Sequence, residues 1–108
     1  MNTPDSLVLS EEMPQQFAMV LCDITDVVTM QNFLRDVMTE KEITEISARF
    51  EAAKMLTAGE SYTKVIARTK LSSRTIARIS DWLQNGAGGY REALATLQHL
   101  HAQPDSSV

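Results

Sequence analysis

The sequence has little cysteine, glycine or proline and no long apolar run, and each shortage excludes a class of protein. A single cysteine, Cys22, cannot form an internal disulfide, and no basic leader opens the sequence, so a cytoplasmic protein is expected. Cys22 lies in an apolar stretch and is expected to be buried and unreactive. Four glycines and three prolines in 108 residues favour helices over a β-sandwich. The longest apolar runs, such as residues 17–21, are too short to cross a bilayer.

Groups that carry enzyme chemistry are also missing from the sequence. No paired catalytic carboxylates, metal-ligand cluster or phosphate-cradling glycine loop is visible. The GAGG stretch at 86–89 lacks the preceding strand that a nucleotide-binding loop requires. The sequence therefore predicts no enzymatic activity, no metal and no cofactor.

Acidic residues are absent from one segment of an otherwise acidic chain. Ten lysines and arginines stand against fourteen aspartates and glutamates, a formal net charge of −4. Residues 61–80, here called the basic segment, contain five of the basic residues and no acidic one, which leaves a net charge of −9 elsewhere. Its charged residues are Lys64, Arg68, Lys70, Arg74 and Arg78. Such sorting favours a polyanionic partner, and the alternative is a solvated surface without a partner.

Length and composition predict one ordered domain over residues 10–101, between disordered tails at 1–9 and 102–108. Within the domain, apolar residues recur at helical spacing. The first three predicted helices have apolar faces too wide for one small bundle to hide. We therefore expect part of this surface to be buried against a second copy of the chain, and a tightly packed monomer is the alternative.

Capping residues mark where these helices begin. Ser10 is the predicted cap of the first helix, and Thr25 or Asp26 that of the second. Thr39 with Glu42 three residues later is a capping-box signature for the third.

A helix-turn-helix is predicted over about residues 61–85, because the basic segment has the length and the apolar residues of that motif. Ser61 and Ser72 each precede a helix-compatible run. Lys70 takes the turn position that usually adopts a left-handed conformation, where a residue other than glycine costs about 1 kcal/mol or more. The apolar residues expected to lock the two helices together are Val65, Leu71, Ile76 and Ile79.

The second helix of this motif predicts a surface that reads DNA. The N-terminal residues of a recognition helix lie near base edges in the major groove, and Arg74 is the candidate base reader because a guanidinium can bond O6 and N7 of guanine together. Arg74 and Arg78, four residues apart, repel each other on an isolated helix, a cost that a polyanion offsets. Other side chains are expected to contact phosphates. The predicted DNA-binding residues are Thr63, Lys64, Arg68, Lys70, Ser72, Ser73, Arg74, Ala77 and Arg78.

Four short blocks of the sequence resemble the Trp repressor superfamily, in particular its YerC/YecD type. The blocks are RFEAAKML at 49–56, GESY at 59–62, TKLSSRTIARIS at 69–80 and GAGGY at 86–90, in the family's order and spacing. The resemblance implies an all-α, six-helix fold. It also implies an intertwined homodimer, joined through the first helices and the last helix, that presents a helix-turn-helix to an operator.

The same resemblance implies a candidate effector pocket. In the Trp repressor a bound tryptophan lies between the third helix and the recognition helix, and the matching residues here are Arg49, Thr75 and Arg78. Ile79 and Trp82 match small residues near that ligand. Large side chains in a ligand-sized cavity favour packing over binding, so we expect both in the core and no L-tryptophan corepressor. For Arg49 the alternative is a salt bridge to Glu45.

Together these features predict a sequence-specific DNA-binding transcriptional regulator, a repressor that occupies a palindromic operator as a homodimer. Its expected partners are double-stranded DNA and a second copy of the chain, with no membrane. Two alternatives stay open. The basic face could dock an acidic protein, as in an interaction module, or the predicted pocket could make the protein a repressor that senses tryptophan or another amino acid.

Overall fold

The computed structural model describes residues 11–102, which contain six helices and no strand. The helices are α1 (Glu12–Asp23), α2 (Val27–Val37), α3 (Glu40–Thr57), α4 (Tyr62–Thr69), α5 (Ser73–Asn85) and α6 (Gly89–Ala102). The prediction of six helices and an all-α fold is confirmed. Ser10, the predicted tail at 1–9 and residues 103–108 of the other predicted tail lie outside the described residues. Residue 102 is the last residue of α6.

The chain divides into two compact units, one ending at Ile43 and the other beginning at Thr44. In the first unit, neither α1 nor α2 contains a buried residue. The rings of Phe17 and Phe33 are 5.9 Å apart, yet Met13 is 80% exposed and Val27 69% exposed. The predicted burial of Cys22 is wrong, because α1 buries no residue in a single chain and the thiol is exposed. One chain alone leaves the apolar faces of α1 and α2 open.

Local hydrogen bonds begin two of these helices where the sequence predicts. Asp26 caps α2, accepting from the Thr29 N–H at 2.8 Å and from the Thr29 hydroxyl at 2.9 Å. These donors stabilise the carboxylate and hold the pKa of Asp26 below its usual value. The capping box is also present: the Thr39 hydroxyl accepts from the Glu42 N–H at 3.1 Å, and the Glu42 carboxylate accepts from the Thr39 N–H at 2.8 Å.

The second unit has an apolar core contributed by α3, α4, α5 and α6. Ile79 is fully buried, and Trp82 is half-buried and packs against the core, so both residues take the packing role that the sequence predicts. The buried residues are Ala52, Ala53, Val65, Ile76, Ile79 and Leu94.

The C-terminal end of α5 is tied to α6. Arg91 donates from Nε to the carbonyl of Leu83 at 2.8 Å and from its guanidinium NH2 to that of Gln84 at 3.0 Å. These carbonyls lie in the last turn of α5 and have no partner within the helix. Gly86 ends the helix, its N–H donating to the Trp82 carbonyl, and a Cβ at Gly86 would lie 2.6 Å from that oxygen. Arg91 and Gly86 thus fix where α5 stops.

Candidate nucleic-acid interface

α4 and α5 form a helix-turn-helix whose two starts are both capped by serine. The Ser61 hydroxyl accepts from the Lys64 N–H at 3.2 Å, and the Ser72 hydroxyl accepts from the Thr75 N–H at 3.1 Å. Val65 and Ile76 are fully buried between the helices, and Leu71 in the turn packs against the same core. The apolar frame predicted for the motif is therefore present.

The turn between the helices depends on a strained lysine. Lys70 has φ 64° and ψ 14°, and it is the one non-glycine residue with positive φ in the described range. Its N–H donates to the Ile66 carbonyl at 2.8 Å, and the Thr69 hydroxyl accepts from the Leu71 N–H at 3.3 Å. A left-handed conformation costs a residue with a Cβ about 1–2 kcal/mol. The predicted left-handed position is confirmed.

The outer face of α5 carries the residues that the sequence assigns to DNA. Ile76 and Ile79 are buried on the inner face, while four residues on the other side are exposed. Because the helix repeats about every 3.6 residues, they form one outward surface. They are Ser73, Arg74, Ala77 and Arg78. The other predicted DNA-binding residues, Thr63, Lys64, Arg68, Lys70 and Ser72, are also exposed.

Two charges of the basic segment have carboxylate neighbours. The Lys64 ammonium lies 3.6 Å from a Glu60 oxygen, and the Arg68 Nε lies 3.5 Å from Glu51. Glu51 also meets Lys54 at 3.0 Å. The hydrogen bond from Lys54, with a smaller contribution from Arg68, holds the pKa of Glu51 below its usual value. Both basic side chains are more than two-thirds exposed, so water screens these pairs.

The other three charges of the basic segment are Lys70, Arg74 and Arg78. Each is exposed, and none forms a salt bridge within residues 11–102. The positive charge on the turn and on the outer face of α5 is therefore not held in a salt bridge by the described part of the chain.

A shallow groove runs along the outer face of α5. It is lined by Arg74, Ala77, Arg78, Asp81 and Trp82. The Arg78 guanidinium lies over the Trp82 ring, 5.6 Å from its centroid, while Asp81 accepts a hydrogen bond from Asn85 at 2.9 Å. The sequence interpretation missed Asp81, which follows the basic segment directly. It also missed the contact between Trp82 and Arg78, although side chains four residues apart on a helix are neighbours.

The three residues of the predicted effector pocket each have a different neighbour. Arg49 forms the alternative salt bridge with Glu45, at 2.8 Å. Thr75 accepts at its hydroxyl from the Ser72 hydroxyl at 3.1 Å, and Arg78 lies over the indole. The charge of Arg49 also acts on Tyr90: burial raises the pKa of Tyr90, and the nearby arginine lowers it to a smaller extent. A tryptophan site formed by Arg49, Thr75 and Arg78 stays a prediction.

The described residues lack two features, a helix that could span a membrane and a cluster of metal ligands. No helix among them is both long and apolar enough to span a bilayer. Among the side chains that the structure describes, no group of three or more histidines, cysteines, aspartates or glutamates could bind a metal ion.

Comparison with known proteins identifies the family. The model of the Trp repressor protein family matches residues 11–98. The chain is 30% identical over 96 residues to the uncharacterized protein YerC of Bacillus subtilis, covering 89% of this chain and 91% of YerC. The crystal structure of a TrpR like protein from Eubacterium eligens matches with a TM-score of 0.78 and 31% identity, covering 84% of this chain and 94% of that one. This fold is a regulatory, DNA-binding one and not that of an enzyme. The chain therefore belongs to the Trp repressor family, as a member of the YerC type.

Proposed function

We propose that the protein is a sequence-specific DNA-binding transcriptional regulator that represses by occupying operator DNA. The outer face of α5 carries this proposal, because Arg74 and Arg78 are exposed there above a buried inner face. Neither arginine forms a salt bridge within the described residues. An arginine that meets a phosphate releases condensed counterions, which is a main source of affinity for DNA.

The N-terminus of α5 is the proposed reading end. Ser72 caps the helix, so Ser73 and Arg74 lie in its first turn, where a recognition helix meets base edges. Arg74 is the proposed reader of guanine, worth about 1–3 kcal/mol of discrimination. The groove places Ala77 beside Arg74, and an alanine methyl there would suit contact with a thymine methyl.

The remaining predicted residues are proposed to contact phosphates and to set the register on the duplex. On binding DNA, Lys64 would leave Glu60 and Arg68 would leave Glu51, and both would contact phosphates instead. The contacts they give up are long and screened by water. Lys70 has no such contact to give up within residues 11–102. The phosphate contacts proposed are those of Thr63, Lys64, Arg68, Lys70 and Ser72.

We further propose that the operator-bound form is an intertwined homodimer. The exposed apolar faces of α1 and α2 support it, because a monomer would leave side chains such as Met13, Val27 and Val28 in water. Two recognition helices related by a twofold axis would meet half-sites about 34 Å apart, and the site would be palindromic.

Fluorescence anisotropy with duplex DNA at several salt concentrations tests the proposal. If a dimer neutralises six to eight phosphates, the log-log salt slope is on the order of −5 to −7. Arg74→Ala is expected to relax sequence preference at one position per half-site. Lys41→Ala, which removes an exposed basic side chain near the start of α3, is the control and is expected to bind like the wild type. A flat salt response would refute DNA binding.

Arg74→Ala tests the first alternative, and a calorimetric titration with tryptophan tests the second. If the basic face docks an acidic protein instead, Arg74→Ala leaves DNA behaviour unchanged. A protein that senses tryptophan would release or absorb heat when titrated with tryptophan in a calorimeter. The absence of a heat signal at millimolar tryptophan would exclude this alternative. The neighbours of Arg49 and Arg78, Glu45 and Trp82, support a regulator that works without a corepressor.

A further inference from the structure

We infer that Trp82 is a positioning residue for DNA binding, which holds the Arg78 guanidinium in the pose that meets the duplex. The inference rests on the proposed function and adds to it a residue that is not itself a DNA contact. The observation that carries it is the placement of Arg78 over the Trp82 ring, with both residues lining the groove on α5.

Trp82 is held by the core, whereas Arg78 lies exposed on the surface of α5. Trp82 lies near the end of α5, half-buried against the core of the second unit. Its carbonyl accepts from the Gly86 N–H at 2.9 Å, so the backbone at this position is also held. Arg78 is exposed and lies one helical turn earlier on the same face. An anchored indole therefore restrains an arginine that would otherwise sample many rotamers.

The ring contact leaves the hydrogen-bonding capacity of Arg78 unused. A cation over an aromatic ring is attracted by the ring quadrupole, which requires none of its N–H donors. A guanidinium carries five such donors in a planar fork that suits phosphate oxygens or a guanine edge. Asp81, the carboxylate of the same groove, accepts from Asn85 and forms no salt bridge with Arg78. The indole, and not a carboxylate, thus sets the direction of this arginine.

Preorganisation makes a specific prediction about affinity. An arginine that is already restrained loses less rotamer freedom on binding DNA than a free one. Replacing the ring with an aliphatic side chain should weaken binding only as long as Arg78 is present to be positioned. A purely structural tryptophan would affect binding equally with or without Arg78.

A double-mutant cycle measured by anisotropy on a bound duplex tests this difference. Trp82→Leu is expected to weaken binding by about two- to fivefold, the range of an exposed cation–π contact. In the Arg78→Gln background the same change is expected to have no further effect. Trp82→Phe keeps a ring and is expected to restore most of the wild-type affinity. Equal losses from Trp82→Leu in both backgrounds would overturn the inference.

Proton NMR of the full chain without DNA supplies a readout that does not depend on binding. The Arg78 side-chain protons should be shifted upfield by the indole ring current relative to those of Arg74, and Trp82→Leu should remove the shift. If Trp82→Leu does not fold, the wild-type shift and the Trp82→Phe affinity still decide. Arg78 protons at ordinary shifts would overturn the inference. A wild type that binds no duplex would instead sink the proposed function and the inference together.

Discussion

Lys70→Gly should make the protein more stable and a weaker binder of DNA at the same time. Lys70 is held at φ 64° in the turn between α4 and α5, a conformation that glycine adopts readily. It is also exposed and forms no salt bridge in the described part of the chain. Under the proposed function, this strained position is one where the lysine charge can meet a phosphate.

The expected size of each effect follows from this geometry. Relief of the left-handed conformation stabilises the folded state by about 1–2 kcal/mol. The greater freedom of glycine stabilises the unfolded chain by about 0.5–1 kcal/mol. The net gain in the free energy of unfolding is therefore between about 0 and 1.5 kcal/mol. If the protein binds DNA as the proposed dimer, the substitution removes two proposed phosphate contacts, and the log-log salt slope should become shallower by about 2.

Urea unfolding and anisotropy over a salt series measure the two effects on the same samples. Protein concentration must be equal throughout, because the stability of a dimer depends on it. Lys70→Arg keeps both charge and strain and should match the wild type in both assays. Lys70→Ala keeps the strain and loses the charge, so it should show the shallower slope without the gain in stability.

Two outcomes would refute this reasoning. A Lys70→Gly protein less stable than the wild type would mean that the left-handed turn is not strained. An unchanged salt slope for both the glycine and the alanine variants would mean that Lys70 does not approach the phosphates.

Three further predictions concern the second unit. Arg91→Met removes the donors to two carbonyls in the last turn of α5 and should lower the free energy of unfolding by about 1–2 kcal/mol, measured in urea. Gly86→Ala places a Cβ 2.6 Å from the Trp82 carbonyl oxygen and should cost about 1–3 kcal/mol in the same assay. The pKa of Tyr90 is raised in the folded state, so this residue should contribute to stability below the unfolded-state pKa. That contribution should be lost as pH rises through the folded-state pKa. Tyrosinate absorbance in a Tyr62→Phe background measures the pKa of Tyr90.

Matched variants make these predictions refutable. A Cβ at Gly89 would have no atom within 4 Å, so Gly89→Ala should leave the free energy of unfolding nearly unchanged. An equal loss of stability at Gly86 and Gly89 would contradict the steric argument. An Arg91→Met protein as stable as the wild type would show that water replaces the two hydrogen bonds without loss. Tyr90→Phe should remove the alkaline loss of stability, and persistence of that loss would assign it to another group.

Features set by neighbours in sequence could be predicted, because short-range chemistry determines them. The caps at Asp26, Ser61 and Ser72 need only one hydroxyl or carboxylate three residues before an N–H. The left-handed turn at Lys70 follows from the spacing of the two helices. The outward face of α5 follows from helical periodicity alone.

Features set by distant contacts could not be predicted in the same way. The pairing of Glu51 with Arg68 joins α3 to α4 across seventeen positions, and no spacing rule indicates it. Burial of Cys22 was predicted wrongly because an apolar neighbourhood in sequence does not determine which face is covered. Asp81 lay just beyond the basic segment, and the structure was needed to place it in the groove with Arg74 and Arg78.

Selection of bound sites from a random duplex library tests the central claim most directly, because it examines DNA binding, twofold symmetry and half-site spacing together. We predict enrichment of a palindromic site with half-sites about 34 Å apart, and loss of preference at one position of each half-site for Arg74→Ala. Sequences without symmetry, or no enrichment over the starting library, would contradict it.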